Sequence, residues 1–294
     1  MEVIEVKVVR LMINDDKAKI LVETLPYIEK YSGKTMVVKY GGSAMKNERL
    51  KDSVMEDIIL MSYVGINVVL VHGGGKEINK VLDKLNIENE FINGLRYTDE
   101  DTMEVVQMVL AGKVNKNLVA KINSKGGNAL GLSGIDSNML LCEKLKGNVD
   151  LGFVGKIKKV NAKVINDCLK NGYISVIGTV GVDEEGNTYN VNGDLAASAI
   201  ASELKAEKLI LLTDVPGLLK EPSMDESLIS EIKKEDINTL FENGTISGGM
   251  IPKVNCCLDA LENGVKKVHI LDGRMRHSII MELFTDAGIG TLIY

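Results

Sequence analysis

The sequence has 294 residues, of which 45% are hydrophobic and 26% are charged, so it predicts a folded protein with room for two domains. Its formal net charge of -6 disfavours nucleic acid as a partner, because nucleic-acid phosphates require basic surface. The first 17 residues mix charges into the apolar positions, and no stretch approaches the length of a membrane span. We therefore expect a cytoplasmic protein with no membrane partner.

The chain contains four cysteines and three histidines. The cysteines lack the paired CxxC spacing of a zinc site, and the histidines, at positions 72, 269 and 277, are dispersed. We expect reduced, mostly buried thiols and no protein-bound metal.

Strand and helix patterns alternate along the chain. A helix is predicted over residues 14–31, because Asn14-Asp15-Asp16 is typical of a helix start and apolar residues then recur at helical spacing. Strands are predicted at residues 36–40, 67–71, 174–177, 208–212 and 268–271, and further helices at 49–63, 76–85, 195–204 and 251–261. This alternation predicts an α/β fold with a central, mainly parallel sheet.

The order of the elements also predicts the domain organisation. An N-terminal helical segment, 1–31, precedes two α/β halves at 32–180 and 181–294. A glycine-bearing stretch with alternating apolar residues, 126–159, predicts hairpins or a β-rich flap between the halves.

Two glycine clusters directly follow predicted strands: Gly41-Gly42 and Gly73-Gly74-Gly75. In open α/β sheets ligands bind at the carboxyl ends of strands, where bare backbone N–H groups can contact anionic oxygens. Each cluster also fits a tight turn that needs glycine. Neither matches the dinucleotide fingerprint or the P-loop, so the pattern indicates a phosphate-handling protein of another design.

Lys39 and Lys253 are the candidate cations. Lys39 ends the first strand just before Gly41-Gly42, and Lys253 follows Pro252 in the first turn of a predicted helix. Phosphoryl transfer depends mostly on positioning and on neutralising charge, which lysines at a glycine cluster could do. Taken alone, each lysine is also compatible with a solvated surface position.

A polar cluster from Asn190 to Asp194 opens the helix predicted at 195–204. Asn192 or Asp194 could cap that helix. Alternatively, one amide of the cluster binds an acceptor substrate while Asp194 orients the lysines or a metal.

Two further segments suit ligands. Thr213-Asp214 follow the strand at 208–212, where a nucleotide would lie, and Arg96 offers a planar fork for a carboxylate. The residues alone indicate an α/β enzyme acting on phosphate and carboxylate groups.

Five motifs together resemble the amino acid kinase family, in the branch that phosphorylates N-acetyl-L-glutamate. They are Lys39-Tyr40-Gly41-Gly42-Ser43-Ala44-Met45, His72-Gly73-Gly74-Gly75, Asn93-Gly94-Leu95-Arg96, Asn190-Val191-Asn192-Gly193-Asp194 and Gly249-Met250-Ile251-Pro252-Lys253-Val254. Each is weak alone, but all five occur in the family's order over nearly the whole chain. Departures occur at Ile135, where the family usually has lysine, and at Ser137, where it has a small residue, often glycine.

The resemblance implies a three-layer αβα sandwich in which the first half binds N-acetyl-L-glutamate and the second binds ATP with Mg²⁺. It implies in-line transfer of the γ-phosphoryl group to the γ-carboxylate in arginine biosynthesis, without a covalent enzyme intermediate. The implied roles are transition-state stabilisation by Lys39 and Lys253, positioning of both by Asp194, phosphate or nucleotide binding by Gly41, Gly42, Thr213 and Asp214, and acceptor binding by Gly74, Gly75, Arg96 and Asn190.

Three other functions share parts of this pattern. A kinase of N-acetyl-aminoadipate would have nearly the same motifs with an acceptor one methylene longer. A non-catalytic amino-acid sensor of the same fold is disfavoured because both lysines and Asp194 are retained. A dehydrogenase is disfavoured by the missing dinucleotide fingerprint.

Residues 277–291 resemble the C-terminal signature of the arginine-sensitive branch. The resemblance implies an effector site for L-arginine that includes His277, Glu282, Gly288 and Gly290. It also implies a homo-oligomer, either a dimer or a hexamer in which the helix at 14–31 interlaces with its copy from another dimer. The alternative is that this helix packs on its own domain.

Overall fold

The computed structural model describes the backbone of residues 2–45, 47–221 and 223–294, and the side chains of residues 17–42, 45, 47–221 and 223–294. The predicted N-terminal segment 1–31 therefore begins at a residue, Met1, that lies outside the described part. Among the residues described, no helix combines the length and the apolar character needed to cross a membrane.

The described residues form ten α-helices and fourteen strands. The helices are α1 (Glu2–Tyr31), α2 (Glu48–Tyr63), α3 (Gly75–Leu85), α4 (Glu100–Gln107), α5 (Asn115–Ser124), α6 (Lys163–Lys170), α7 (Gly193–Glu203), α8 (Ile237–Glu242), α9 (Met250–Glu262) and α10 (Ser278–Leu283). The strands are β1 (Thr35–Tyr40), β2 (Asn67–His72), β3 (Phe91–Ile92), β4 (Leu95–Arg96), β5 (Ala129–Ser133), β6 (Leu140–Lys144), β7 (Gly155–Val160), β8 (Ile174–Gly178), β9 (Val180–Val182), β10 (Thr188–Asn190), β11 (Lys208–Thr213), β12 (Glu231–Ile232), β13 (Lys267–Asp272) and β14 (Thr291–Ile293). A π-helical segment, Met108–Val114, joins α4 to α5.

The central sheet has eight strands in the order β12-β14-β13-β11-β1-β2-β8-β5. Its neighbours run parallel except β13 and β14, which are antiparallel. All five predicted strands belong to this sheet. The predicted α/β class with a mainly parallel sheet is therefore confirmed.

Alternate residues of one strand belong to two different cores, which makes the sheet the middle of three layers. On β1, Met36, Val38 and Tyr40 belong to one hydrophobic cluster, whereas Val37 belongs to the other. Successive side chains of a strand point to opposite faces, so both faces of β1 are covered. This arrangement explains why its apolar residues form a continuous run.

Smaller sheets flank the carboxyl edge of the large one. β6 and β7 form the hairpin that was predicted as a flap, and β9 and β10 join them in a four-stranded sheet. β3 and β4 form a tight hairpin, because Asn93 and Gly94 adopt the positive φ angles of 50° and 81° that a two-residue turn requires.

The N-terminal helix is longer than predicted. The pattern placed its start at residue 14, but α1 begins at Glu2. Neither glycine nor proline occurs before Pro26, so nothing breaks the helix there. The polar residues 14–16 lie inside it, and each costs only about 0.5 kcal/mol of helix stability relative to alanine. A capping sequence alone did not decide where the helix begins.

The pairing of β9 bears on the domain boundary. Val182 of β9 pairs with Leu141 of β6, so the hairpin at 180–190 lies in a sheet of the first half. This pairing favours a division after Asn190 over one near residue 180. The division of the chain into two α/β halves stays a prediction.

Candidate active site

The carboxyl ends of the parallel strands bring together segments that are far apart in the sequence. In the register of the sheet, Lys39 lies beside Leu211 of β11 on one side and Val71 of β2 on the other. The segments that follow β1, β2 and β11 therefore meet at one edge, as expected for a ligand site in an open α/β sheet. These segments contain both glycine clusters and Thr213-Asp214.

Asp194 joins the two candidate lysines. Its Oδ1 lies 2.8 Å from Lys39 Nζ, and its Oδ2 lies 2.8 Å from Lys253 Nζ. Burial raises the pKa of Asp194, but the two ammonium groups outweigh burial and lower that pKa to about 2. The carboxylate is ionised at neutral pH and holds one cation on each oxygen.

Different elements supply the three charges. Lys39 comes from the end of β1, Asp194 from the first turn of α7, and Lys253 from the first turn of α9. Pro252 lies in the first turn of α9, where it has no intrahelical donor to lose. The site therefore depends on contacts between the first and second halves of the chain.

Glycines make room for the Lys39 side chain. A Cβ atom at Gly41 would lie 3.3 Å from Lys39 Nζ, and one at Gly193 would lie 3.5 Å from Lys39 Cε. Gly193 belongs to the Asn190–Asp194 motif, but the sequence did not predict it as a site residue. Its role depends on a contact between β1 and α7 that no local pattern reveals.

In the polar cluster, capping and ion pairing are carried out by two different residues. Asn192 is the cap of α7, since its Oδ1 accepts from the amides of Asp194 at 2.9 Å and Leu195 at 3.2 Å. The side chain of Asp194 is thereby left to the lysines.

Gly74 and Gly75 open α3 at the same edge of the sheet. The first amides of a helix have no intrahelical acceptor, so they can bind an anion. A Cβ atom at Gly74 would approach Leu110 Cδ2 to 2.7 Å, so the π-helical segment packs directly against this turn. His72 supports it as well, because its Nδ1 lies 3.0 Å from the Gly73 carbonyl oxygen.

Three hydrogen-bond acceptors and an aromatic ring hold the guanidinium group of Arg96 in place. Its guanidinium donates to Asn79, to Asn89 and, at 3.2 Å, to the carbonyl oxygen of Gly75. The ring of Phe91 lies 4.7 Å from the guanidinium carbon. Three of the five N–H groups have acceptors among the residues that the structure describes, and Arg96, although buried, lines a cavity.

Asn190 is linked to Arg96 through Thr98. The Asn190 side-chain amide donates to Thr98 Oγ1 at 3.1 Å, and Thr98 Oγ1 donates to the Arg96 carbonyl oxygen at 2.9 Å. Arg96, Asn190 and the turn at Gly73–75 line one cavity of about 190 Å³, the small cavity. Sequence reasoning missed Asn79, Asn89, Phe91 and Thr98, because nothing in their local sequence marks them as partners of an arginine.

Thr213 and Asp214 lie at the carboxyl end of β11. The Thr213 hydroxyl accepts from the Val215 amide at 3.3 Å, which ties the turn after the strand, and Asp214 is exposed. The pair thus lies beside the end of β1 on the side of the second half.

Comparison with known proteins agrees with this geometry. The sequence profile of the amino acid kinase family matches residues 34–272. The chain is 70% identical over 282 residues to an acetylglutamate kinase of Clostridioides difficile, covering 96% of this chain and 98% of that one. This chain belongs to the amino acid kinase family.

Within the amino acid kinase family, other similar proteins have the same activity in their names. An acetylglutamate kinase of Brachyspira hyodysenteriae is 57% identical over 281 residues, covering 96% of this chain and 98% of the relative. The resemblance to acetylglutamate kinases that the motifs predicted is therefore confirmed. The protein is an enzyme, a phosphotransferase with a carboxyl group as acceptor.

Solved structures support the fold. An N-acetylglutamate synthase of Neisseria gonorrhoeae, complexed with coenzyme A and N-acetyl-glutamate, matches with a TM-score of 0.82 and 28% identity over 94% of this chain. This chain covers 63% of that synthase. A carbamate kinase of Giardia lamblia bound to AMP-PNP matches with a TM-score of 0.65 at 18% identity, covering 90% of this chain and 99% of that one, which indicates a shared fold alone.

A second cluster of charges lies away from the catalytic edge in this amino acid kinase. The side chain of Glu282 is only 6% exposed, and His269 Nδ1 lies 2.6 Å from its Oε1. Its Oε2 accepts from the amides of Ile289 at 2.7 Å and Gly290 at 3.1 Å. Burial raises the pKa of Glu282, but these bonds hold it below its usual value.

Lys208 extends this cluster, because its Nζ lies 2.7 Å from His269 Nε2. Burial and neighbouring Lys267 lower the pKa of Lys208 to about 8. The Tyr31 ring at the end of α1 lies 5.2 Å from the same ammonium group. Sequence reasoning missed His269 and Lys208, which face each other only through the pairing of β13 with β11.

The residues predicted for an effector site are brought together only in part. Gly288 and Gly290 lie against Glu282, and a Cβ atom at Gly288 would lie 3.2 Å from Oε2. His277 instead contacts α2, where its Nδ1 lies 2.7 Å from Asp57 and its amide donates to Ser53 at 2.6 Å. His277 therefore ties the start of α10 to the first half of the chain.

The described residues offer no cage for Mg²⁺. No group of three or more His, Cys, Asp or Glu side chains that could hold a metal occurs in the part of the chain that the structure describes. Asp194 is already occupied by two lysines. This donor set does not fit a protein-held Mg²⁺, and an ion arriving with ATP would be held by the phosphates and water.

Proposed function

We propose that this enzyme transfers the γ-phosphoryl group of ATP to the γ-carboxylate of N-acetyl-L-glutamate, in the cytoplasm, as a step of arginine biosynthesis. The observation that carries the proposal is Asp194 bound to both Lys39 and Lys253 at the carboxyl edge of the sheet. The relatives named acetylglutamate kinase support the choice of acceptor.

The proposed step is direct attack by the acceptor carboxylate on the γ-phosphorus. A carboxylate is ionised at pH 7, so the reaction needs no general base. The ammonium groups of Lys39 and Lys253 neutralise the charge that develops on the phosphoryl and leaving oxygens. The amides of Gly42, Gly74 and Gly75 donate to the remaining oxygens, and Thr213-Asp214 contact the nucleotide, with Gly41 leaving space beside Lys39.

The small cavity suits the rest of the acceptor. The guanidinium group of Arg96 binds the α-carboxylate, and the side chain of Asn190 binds the acetamido end. Thr98 links the Asn190 side chain to the backbone carbonyl of Arg96, which supports placing both residues against one ligand. The γ-carboxylate then faces the turn at Gly74-Gly75.

The acceptor is tested by trapping the acyl phosphate with hydroxylamine. Purified enzyme with ATP and Mg²⁺ is given N-acetylglutamate, glutamate, aspartate or N-acetyl-aminoadipate in parallel. We expect hydroxamate mainly from N-acetylglutamate. Preference for N-acetyl-aminoadipate would assign the longer acceptor, and no hydroxamate from any of the four would refute the proposed reaction.

Replacing Arg96 by lysine should weaken binding of the acceptor. A point charge cannot reproduce the planar fork, so we expect the KM for N-acetylglutamate to rise about 10- to 100-fold, with the KM for ATP little changed. The exposed Arg49→Lys provides a matched control. A rise confined to the KM for ATP would contradict the proposed placement of the acceptor.

We also propose that L-arginine inhibits the enzyme at the cluster around Glu282. A buried carboxylate, a glycine turn and the end of α1 lie together there, away from the catalytic lysines. Tyr31 packs edge-on against Phe284, with ring centroids 6.4 Å apart, so the end of α1 contacts the residue that ends α10, just before the turn. Such inhibition requires that arginine bind one of two arrangements more tightly.

The exposed side of α1 supports a homo-oligomer. Ile20, Leu21, Val22 and Leu25 are each more than half exposed, and such a row of apolar residues is typical of an interface. We propose that it packs against α1 of a subunit from another dimer, giving a hexamer of three dimers rather than a dimer alone.

Removing the proposed interface should weaken arginine inhibition without removing activity. Because Tyr27, Ile28 and Tyr31 pack against the core, the deletion is placed before Pro26 and covers residues 1–25. We expect dimers by sedimentation, with the half-inhibiting arginine concentration raised about tenfold or more. Glu282→Gln, which keeps the shape of the side chain, should also lose sensitivity while keeping the oligomeric state.

The full-length protein is the reference in both experiments. Sedimentation of that protein as a dimer, with undiminished activity in millimolar arginine, would rule out this regulatory proposal. The proposed kinase reaction would be unaffected.

A further inference from the structure

A groove of about 1000 Å³ lies between α2, α3 and α5, next to the candidate site. Gly74, Gly75 and Phe91 line both this groove and the small cavity that contains Arg96. The two spaces are therefore adjacent, with Phe91 at their boundary. The groove, at about 1000 Å³, is about five times larger than the small cavity of about 190 Å³, so it is not explained by binding of the acceptor at Arg96.

The groove is positively charged although the protein is acidic. Five lysines line it, namely Lys51, Lys76, Lys80, Lys113 and Lys121. Two glutamates, Glu48 and Glu77, also line it, which leaves a formal charge of +3 against -6 for the whole chain. Charges of one sign in a concave surface concentrate the field and raise the local concentration of oppositely charged ligands.

Ion pairs hold four of these five lysines, Lys51, Lys80, Lys113 and Lys121, on the walls. On one wall, Glu48 contacts Lys51 at 2.7 Å and Lys121 at 2.9 Å. On the other wall, Glu77 contacts Lys80 at 2.6 Å and Lys113 at 2.9 Å. The cluster around Glu77 keeps a net positive charge, because two lysines share one glutamate. On the other wall Lys121 also contacts Asp52 at 3.0 Å, so the lysines there are balanced and the excess charge of the groove comes from Lys76 and the Glu77 cluster.

We propose that this groove is a second, low-affinity site that receives the dianionic acceptor before it reaches Arg96. The inference rests on the proposed function, which supplies a dicarboxylate as the ligand. The groove adjoins Gly75 and Phe91, on the side of Arg96, and it reaches Gly42 at the proposed phosphoryl position. Thr213 and Lys253, which lie with the second half of the chain, do not line it. Its position therefore favours the acceptor over ATP.

The double variant Lys76→Gln/Lys80→Gln tests the groove. Both residues are exposed on α3, Glu77 keeps Lys113 as a partner, and neither lysine belongs to the catalytic site. At about 0.01 M salt we expect kcat/KM for N-acetylglutamate to fall roughly 3- to 10-fold, with kcat and the KM for ATP unchanged. At about 1 M salt, where the screening length is about 3 Å, the difference from the wild type should disappear.

The control is Lys163→Gln/Lys170→Gln on α6, which removes the same charge from exposed positions outside the groove. An equal loss in the control, a loss that persists at high salt, or a change in the KM for ATP alone would overturn the proposal. The activity of the wild type separates failure of the proposed function from failure of the groove proposal. If the wild type does not turn over N-acetylglutamate, the proposed function is wrong, and the groove proposal, which rests on that acceptor, is wrong with it. If the wild type turns over N-acetylglutamate normally and the double variant behaves like it, only the groove proposal is refuted.

Discussion

Asp194→Asn is expected to lower kcat by about 100-fold or more while the protein stays folded. Asparagine has nearly the same shape but no charge, so Lys39 and Lys253 would lose the group that holds both ammonium ions in place. The exposed Asp167→Asn provides a matched control. The measurement is steady-state kcat, with circular dichroism to verify the fold.

Asp194→Asn should also change how the free energy of unfolding depends on pH. The folded-state pKa of Asp194, about 2, lies below the ordinary value of 3.8. The paired carboxylate therefore stabilises the fold above about pH 4, and this contribution is lost as the pH falls towards 2. Asp194→Asn should remove this dependence. A variant with kcat close to that of the wild type would show that Asp194 does not position the lysines.

Lys39→Ala and Lys253→Ala are each expected to lower kcat by about 100-fold or more and to change the KM for N-acetylglutamate far less. The reason is that both ammonium groups interact most strongly as charge develops during transfer. Because they share one carboxylate, the double variant should lose less than the product of the two single effects.

Exposed Lys170→Ala serves as the control for these lysine variants. If either folded variant kept a near-normal kcat, that lysine would have no part in the chemistry. A large rise in the KM for the acceptor with kcat unchanged would instead indicate a role in ground-state binding.

The parts of the fold that depend on local sequence were predicted correctly. β1 and β2 are β-branched, apolar runs that end at glycine, and they form the strands that precede the two glycine clusters. The start of α1 was predicted wrongly, because Asn14-Asp15-Asp16 is typical of a cap and the continuation of the helix depends on the absence of a breaker.

Ser137 shows how a departure from the family pattern can be read physically. Its φ angle is 57°, in the left-handed region that glycine adopts without steric cost. The small residue expected there by resemblance thus corresponds to a backbone requirement. The sequence alone did not reveal that requirement.

The catalytic constellation was accessible from motifs, but its supporting contacts were not. Lys39, Asp194 and Lys253 were predicted because each lies in a recognisable segment. Asn79 and Asn89 contact Arg96 from 17 and 7 residues away, and their spacing follows neither a helix nor a strand. Such partners are defined by tertiary packing.

The most direct test of the proposed reaction follows the oxygen atoms of the acceptor. N-acetylglutamate with a heavy oxygen isotope in its side-chain carboxylate is incubated with enzyme, ATP and Mg²⁺, and the product is trapped with hydroxylamine. Attack by the carboxylate on the γ-phosphorus makes one labelled oxygen the bridge to phosphorus, and hydroxylamine then releases phosphate that carries it. We expect labelled phosphate in an amount equal to the hydroxamate, whereas unlabelled phosphate alone would contradict direct transfer to the acceptor carboxylate.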